Sequence, residues 1–109
     1  MKRSLEEMLV QAQMERAQLV AWIEEGWVAP ARQADDFLFD EADIARVNFI
    51  CELTRDMMIG DEAVPVVLSL VDQLNALRGT LKQVLLAVED LPEPNRSKLV
   101  TILKALDEG

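Results

Sequence analysis

Asp35, Asp36, Asp40, Glu41 and Asp43 place five carboxylates within nine residues, with no basic residue between them, and Glu24 and Glu25 stand a short way upstream. Carboxylates at such density can hold a hard cation, share a proton in acid–base chemistry, or attract a positively charged partner. The surrounding sequence narrows this choice. The chain has no histidine and a single cysteine, so a nucleophile–histidine pair and a His/Cys zinc site are both excluded. No regular oxygen-ligand loop of the EF-hand kind and no Gly-rich phosphate loop accompanies the acids. The expectation is therefore a non-enzymatic protein without metal or cofactor, whose acids serve recognition. Glu24, Glu25, Asp35 and Asp36 are the candidate partner-binding residues, because Asp40, Glu41 and Asp43 already suit the start of a helix.

The rest of the composition points the same way. The formal net charge is −9, which favours a basic protein partner over nucleic acid or an anionic membrane. Duplex DNA is bound largely by neutralising its phosphates with Lys and Arg. Between Glu15 and Phe39 stand five acids (Glu15, Glu24, Glu25, Asp35, Asp36) against two bases (Arg16, Arg32). No apolar run reaches the roughly 18 residues of a membrane span, and Glu6, Glu7 and Glu15 interrupt any leader-like stretch after Lys2 and Arg3. One cysteine allows no internal disulfide. A cytoplasmic protein is expected.

These acids must be positioned by a largely helical frame. Ser4 and Glu7 form a capping-box pattern ahead of a short helix with Leu5, Met8 and Leu9 on one stripe. A second helix is predicted from Met14 or Glu15, carrying Leu19, Trp22 and Ile23, and stopped by Gly26 in a left-handed conformation. Trp27-Val28 is expected to be extended, since Pro30 disfavours helix before it. Phe37 and Phe39 alternate around Leu38 as in a strand. Together they predict a two-strand wing with a loop through Arg32–Asp36. Asp40 caps a third helix, with Glu41 and Asp43 at its positive end. Its inward face is assigned to Ile44, Val47, Ile50 or Cys51, and Met57 or Met58, and the stretch Met58-Ile59-Gly60 ends it.

Asp61 is the expected N-cap of a long fourth helix, with Pro65 tolerated in its first turn. From there Val67, Leu74, Leu81 and Val88 fall at heptad position a, and Leu70, Leu77 and Val84 at d. No polar residue interrupts this stripe, so it predicts a coiled-coil seam joining two copies in a homodimer. The alternative is a long helix whose stripe, broadened by Val71 and Leu85, lies across its own domain. Leu91-Pro92-Glu93-Pro94 ends the helix, and a last amphipathic segment from about Asn95 carries Leu99, Ile102, Leu103 and Leu106. The organisation expected is a core over 1–60, a long helix over 61–90 and a helical tail over 91–109. Trp22, Trp27, Phe37 and Phe39 are read as core. Cys51 is read as a small buried hydrophobe rather than a redox centre.

The run Trp22–Pro30, the capped helix at Asp40–Arg46 and the segment from Gly60 through Leu74 together resemble the chaperone modulatory protein family CbpM, a branch of the MerR-like winged helix-turn-helix proteins. The resemblance covers about residues 4 to 88. It implies a mainly α fold in which a winged helix-turn-helix with a small two-strand wing is followed by a long helix and a short C-terminal helix. It also implies a non-enzymatic protein that binds the J-domain of a DnaJ-like co-chaperone, CbpA, and denies the DnaK chaperone access to it. The alternative from the same resemblance is a MerR-type DNA-binding transcriptional regulator. MerR regulators tend to carry Arg and Tyr in the second helix, where this chain has Ala21, Trp22 and Ile23.

Overall fold

The computed structural model describes residues 2–108 and is mainly helical. In chain order the elements are α1 (Leu5–Ala12), α2 (Arg16–Glu24), β1 (Ala31–Gln33), β2 (Asp36–Leu38), α3 (Glu41–Cys51), α4 (Val64–Val88) and α5 (Asn95–Glu108). A π-helical turn, Glu52–Asp56, continues α3. The chain forms two compact units, Met1–Leu68 and Ser69–Gly109. The winged helix-turn-helix, the long helix and the short C-terminal helix expected from the sequence are all present.

Local chemistry explains most element boundaries. At α1 the Ser4 N–H donates to Glu7 Oε1 at 2.9 Å, and the Glu7 N–H donates to Ser4 Oγ at 3.3 Å. This reciprocal pair satisfies two backbone donors that the first turn would leave bare. At the other end Gln13 adopts the left-handed conformation (φ 53°). Its N–H reaches the Val10 carbonyl, and the N–H of Met14 reaches Leu9 at 3.1 Å. The Arg55 guanidinium, from the π turn, donates to the carbonyls of Ala12 at 2.6 Å and Gln13 at 3.0 Å. A cation is favourable there, at the negative end of the helix.

The end of α2 repeats this geometry with glycine. Gly26 has φ 78°, its N–H donates to Ile23 at 3.0 Å, and the N–H of Trp27 donates to Trp22 at 2.9 Å. This is a Schellman stop, in which the residue after the left-handed position packs on the last full turn. Here that contact is Trp27 on Trp22, with ring centroids 6.0 Å apart and planes tilted by 35°. A β-carbon on Gly26 would meet nothing within 4 Å. Its backbone angle, not crowding, calls for glycine.

The wing departs from expectation. Trp27 and Val28 are buried but belong to no strand, and the ladder begins only after Pro30. Proline has no N–H to give a ladder, and the bonds of Trp27 are already spent on the helix stop. β1 and β2 pair antiparallel with Ala31 opposite Leu38, Arg32 opposite Phe37 and Gln33 opposite Asp36. The connection is thus Ala34-Asp35 alone, with Ala34 at φ 56°. Arg32 and Asp36, expected in the loop, are strand residues. Arg3 extends the wing through an isolated bridge to Phe39, with N–H to carbonyl bonds of 2.9 and 2.8 Å.

The inward face of α3 is also corrected. Val47 and Ile50 are buried, Ile44 and Cys51 half-buried, but Met57 and Met58 are exposed, and Leu53 takes the inward place instead. The wider π turn, with bonds to the fifth residue, shifts the phase of the stripe at Glu52. Met58, at φ 57°, turns the chain, and the Ile59 N–H closes on the Leu53 carbonyl at 2.8 Å. α4 then begins at Val64, three residues past Asp61, because a turn closed by the Ala63 N–H on Gly60 at 3.0 Å intervenes. Pro65 falls in the first turn as expected.

The core lies in the first unit. Leu5, Met8, Leu19, Trp22, Trp27, Val28, Phe39, Val47, Ile50, Val64 and Leu68 pack as one cluster, with Phe37 half-buried against it.

Candidate functional site

α1 and α2 form a helix-turn-helix, and α2 stands where such a motif presents its reading surface. The exposed residues of α2 are Arg16, Ala17, Gln18, Ala21 and Glu24. Arg16 is the only cation of the helix, and it is ion-paired with Glu6 of α1. What remains is short, neutral or acidic. That surface offers phosphates no free positive charge and offers base edges little beyond Gln18.

The candidate acids are all exposed. Glu24 closes α2 and Glu25 is its C-cap. Asp35 sits in the wing turn. Asp36 opens β2, and its Oδ1 accepts the N–H of Phe37 at 2.7 Å. Across the wing, the guanidinium of Arg32 lies 5.0 Å from the centre of the Phe37 ring, so the one wing cation is held over an aromatic face. Asp36 lies close enough to Glu7 to raise the carboxyl of that residue electrostatically, although the hydrogen bonds from Ser4 dominate and hold Glu7 below the usual carboxylate range.

Glu25 has different neighbours. It lines a cleft of about 570 Å³ together with Asp61 and Glu62, and with Trp22 and Trp27. Asp36 and Arg3 thus both lie near Glu7, whereas Glu25 lies with Asp61 and Glu62. Glu7, Asp61 and Glu62 were not among the sequence candidates. Glu7 and Asp61 signalled only capping, which does not reveal what a side chain faces, and Glu62 carried no signal of its own.

Asp40 and Asp43 are engaged with one another at the start of α3. The Asp43 N–H donates to Asp40 Oδ1 at 2.8 Å and the Asp40 N–H to Asp43 Oδ2 at 3.0 Å. The backbone bond from Asp43 holds the Asp40 carboxyl below its usual range, whereas burial pushes that of Asp43 up. These two carboxylates start α3.

Between Ser4 and Val84 the chain thus carries a capped helix pair, a wing, a capped third helix and a long fourth helix. The profile of the MerR HTH family of regulatory proteins matches residues 4–84. The chain belongs to that family. Comparison with curated proteins and with solved structures found no match.

Other features of this MerR-family chain bear on its chemistry. Burial pushes the Cys51 thiol up, so it holds little reactive thiolate. Among the described residues no group of three or more His, Cys, Asp or Glu could hold a metal ion, and no helix is long and apolar enough to cross a membrane. Arg46, on α3, donates from Nε to the carbonyl of Trp27 and so anchors the segment leading into the wing. Along α4 the heptad residues Leu70, Leu74, Leu77 and Val84 are exposed, Leu77 at 68%, while Val67, Leu81 and Val88 are half-buried.

Proposed function

We propose that this protein is a non-enzymatic chaperone modulator that binds the J-domain of a DnaJ-like co-chaperone of the CbpA kind and suppresses its action with the DnaK chaperone. The observation that carries this reading is the surface of α2. A helix-turn-helix is retained, yet its second helix has one cation, and Glu6 occupies it. A partner with a basic surface suits the acids around that helix, whereas a duplex does not. The resemblance to the CbpM branch supplies the identity of the partner. Glu24, Glu25, Asp35 and Asp36 are proposed to contribute to the contact.

The chain is further proposed to work as a homodimer joined along α4 by Val67, Leu70, Leu74, Leu77, Leu81, Val84 and Val88. Support comes from the unbroken heptad and from the exposure of its d-position leucines, Leu70 at 60% and Leu77 at 68%. Leucines spaced in this way lose their contact with water when a second helix covers them.

Calorimetry with a purified J-domain tests the function. Binding is expected, and it should weaken as ionic strength rises from low to physiological, because exposed charge pairs are screened. Reversing Asp35 and Asp36 to Lys should weaken it on the order of tenfold, at roughly 1 kcal/mol or less per exposed charge. No heat at either ionic strength would end the chaperone reading. A discrete, salt-sensitive complex with duplex DNA would replace it with the MerR-type regulator.

A further inference from the structure

The cleft beside the α2 stop has a composition that its structural role does not require. It is lined by the Trp22–Trp27 pair, Ala21 and Pro65, by Gln18, and by the carboxylates Glu25, Asp61 and Glu62. These come from separate places in the sequence: the C-cap of α2, the residue after Gly26, and the turn before α4. At about 570 Å³ it lies within the range of sites that take an inserted ligand group. No Lys or Arg is among its lining residues.

We infer that this cleft receives an arginine side chain from a basic segment of a partner protein. The match is chemical at both ends of that side chain. The aliphatic stem of arginine packs on apolar surface while its head stays near water, and the indoles with Ala21 and Pro65 supply that surface. The guanidinium is planar and weakly hydrated and presents a fork of donors to carboxylates. Here three carboxylates line the same cleft as the two indoles. Lysine has a compact, strongly hydrated ammonium without the fork, so it fits the same cleft less well. The inference rests on the reading above only in taking the partner to be a basic protein.

The two tryptophans of the chain both line the cleft, so intrinsic fluorescence of the full chain reports its occupancy directly. The probe is a blocked hexa-arginine peptide, with hexa-lysine for comparison. Hexa-arginine is expected to shift and saturate the emission, and hexa-lysine to need a several-fold higher concentration. The variant Glu25→Gln/Asp61→Asn/Glu62→Gln replaces three exposed carboxylates by amides of the same shape and should retain its helical circular dichroism. Its response should weaken tenfold or more. Reversal of the wing acids, Asp35→Lys with Asp36→Lys, should leave the response within about twofold of wild type, since rim charges away from the cleft act only through screened interactions.

An unchanged emission at millimolar peptide, or an equal response in the triple amide variant, would overturn the inference. The same variants in the J-domain titration separate the two ideas. A J-domain that binds wild type and the amide variant equally would remove the cleft and leave the chaperone reading standing. Arginine-dependent fluorescence with no J-domain binding would do the reverse.

Discussion

The two units of this chain use their apolar residues in opposite ways. In the first, aliphatic and aromatic residues from three helices, the wing and the start of α4 close over one another, and Phe39, Met8, Leu19, Ile50, Val28, Val47 and Val64 have almost no contact with solvent. In the second, residues 69–108 include no fully buried side chain, and Leu70, Leu74, Leu77, Leu86, Ile102 and Leu106 remain largely exposed. Burial of apolar surface is worth about 25 cal/mol per Å², so the first unit has realised that gain and the second has not. The contrast separates a part with a closed apolar core from a part whose apolar residues stay in contact with solvent.

The largest effect should come from emptying the centre of the first unit. Phe39→Ala removes a wholly buried ring whose backbone also bridges to Arg3, and a loss of about 3–5 kcal/mol is expected in denaturant unfolding. Leu77→Ala, at an exposed site, should change the unfolding of the first unit by less than about 0.5 kcal/mol. Equal losses would break the comparison.

Next in size is the proposed seam. Leu74→Asp or Leu77→Asp would bury a charge between two copies, at a cost of several kcal/mol, and should convert a dimer to a monomer in light scattering coupled to size exclusion. A wild-type chain that is monomeric at tens of micromolar would show that the exposed leucines await some other cover.

Within the first unit the left-handed stops offer a paired test. Gly26→Ala imposes a β-carbon at φ 78°, and Met58→Gly relieves one at φ 57°. Each should shift the midpoint of thermal unfolding, the first downward and the second upward, by an amount equivalent to about 1 kcal/mol. Methionine 58 makes the cleaner case, being 80% exposed, since little packing is lost with its side chain.

The smallest expected effect is on acid stability. Asp40 is held below its usual range by its backbone bond to Asp43, so its contribution is present above the unfolded value and is lost as pH falls through the folded one. Below about pH 4 the wild type should therefore lose stability. Asp40→Asn keeps a cap acceptor but no titration, so its curve should be flatter in that range. Asp43 is shifted upward by burial and opposes this trend, so Asp43→Asn should make the acid loss steeper. Matching pH curves for all three proteins would show that the box does not titrate with folding.

Much of this frame was legible in the residues themselves, where one side chain decides one local event. Ser4 with Glu7, Asp40 with Asp43, Gly26, and the two prolines after Leu91 each announced a helix start or stop, and each acts there. What escaped were places where a residue without special propensity takes the strained position. Gln13, Ala34 and Met58 all turn left-handed, and none of the three types signals it. The wing was misplaced because the Pro30 rule describes Ala29 correctly but says nothing about pairing, which the lost N–H postpones to Ala31. The acids from Asp35 to Asp43 were visible as a run. The grouping of Glu25 with Asp61 and Glu62 was not, since these come together only through the tertiary fold.

The π-helical turn at Glu52–Asp56 has a consequence for chain length. A π turn is an α-helix carrying one residue too many. Deleting a single exposed position there, such as Glu52, would let the segment relax to α geometry while the residues beyond it stay close to their present phase. Arg55 would then still face the carbonyls of Ala12 and Gln13, and Ile59 would still close on Leu53. The fold should accordingly tolerate the loss of one exposed residue from these five better than the replacement of Leu53, which is buried, or of Arg55, which holds the end of α1.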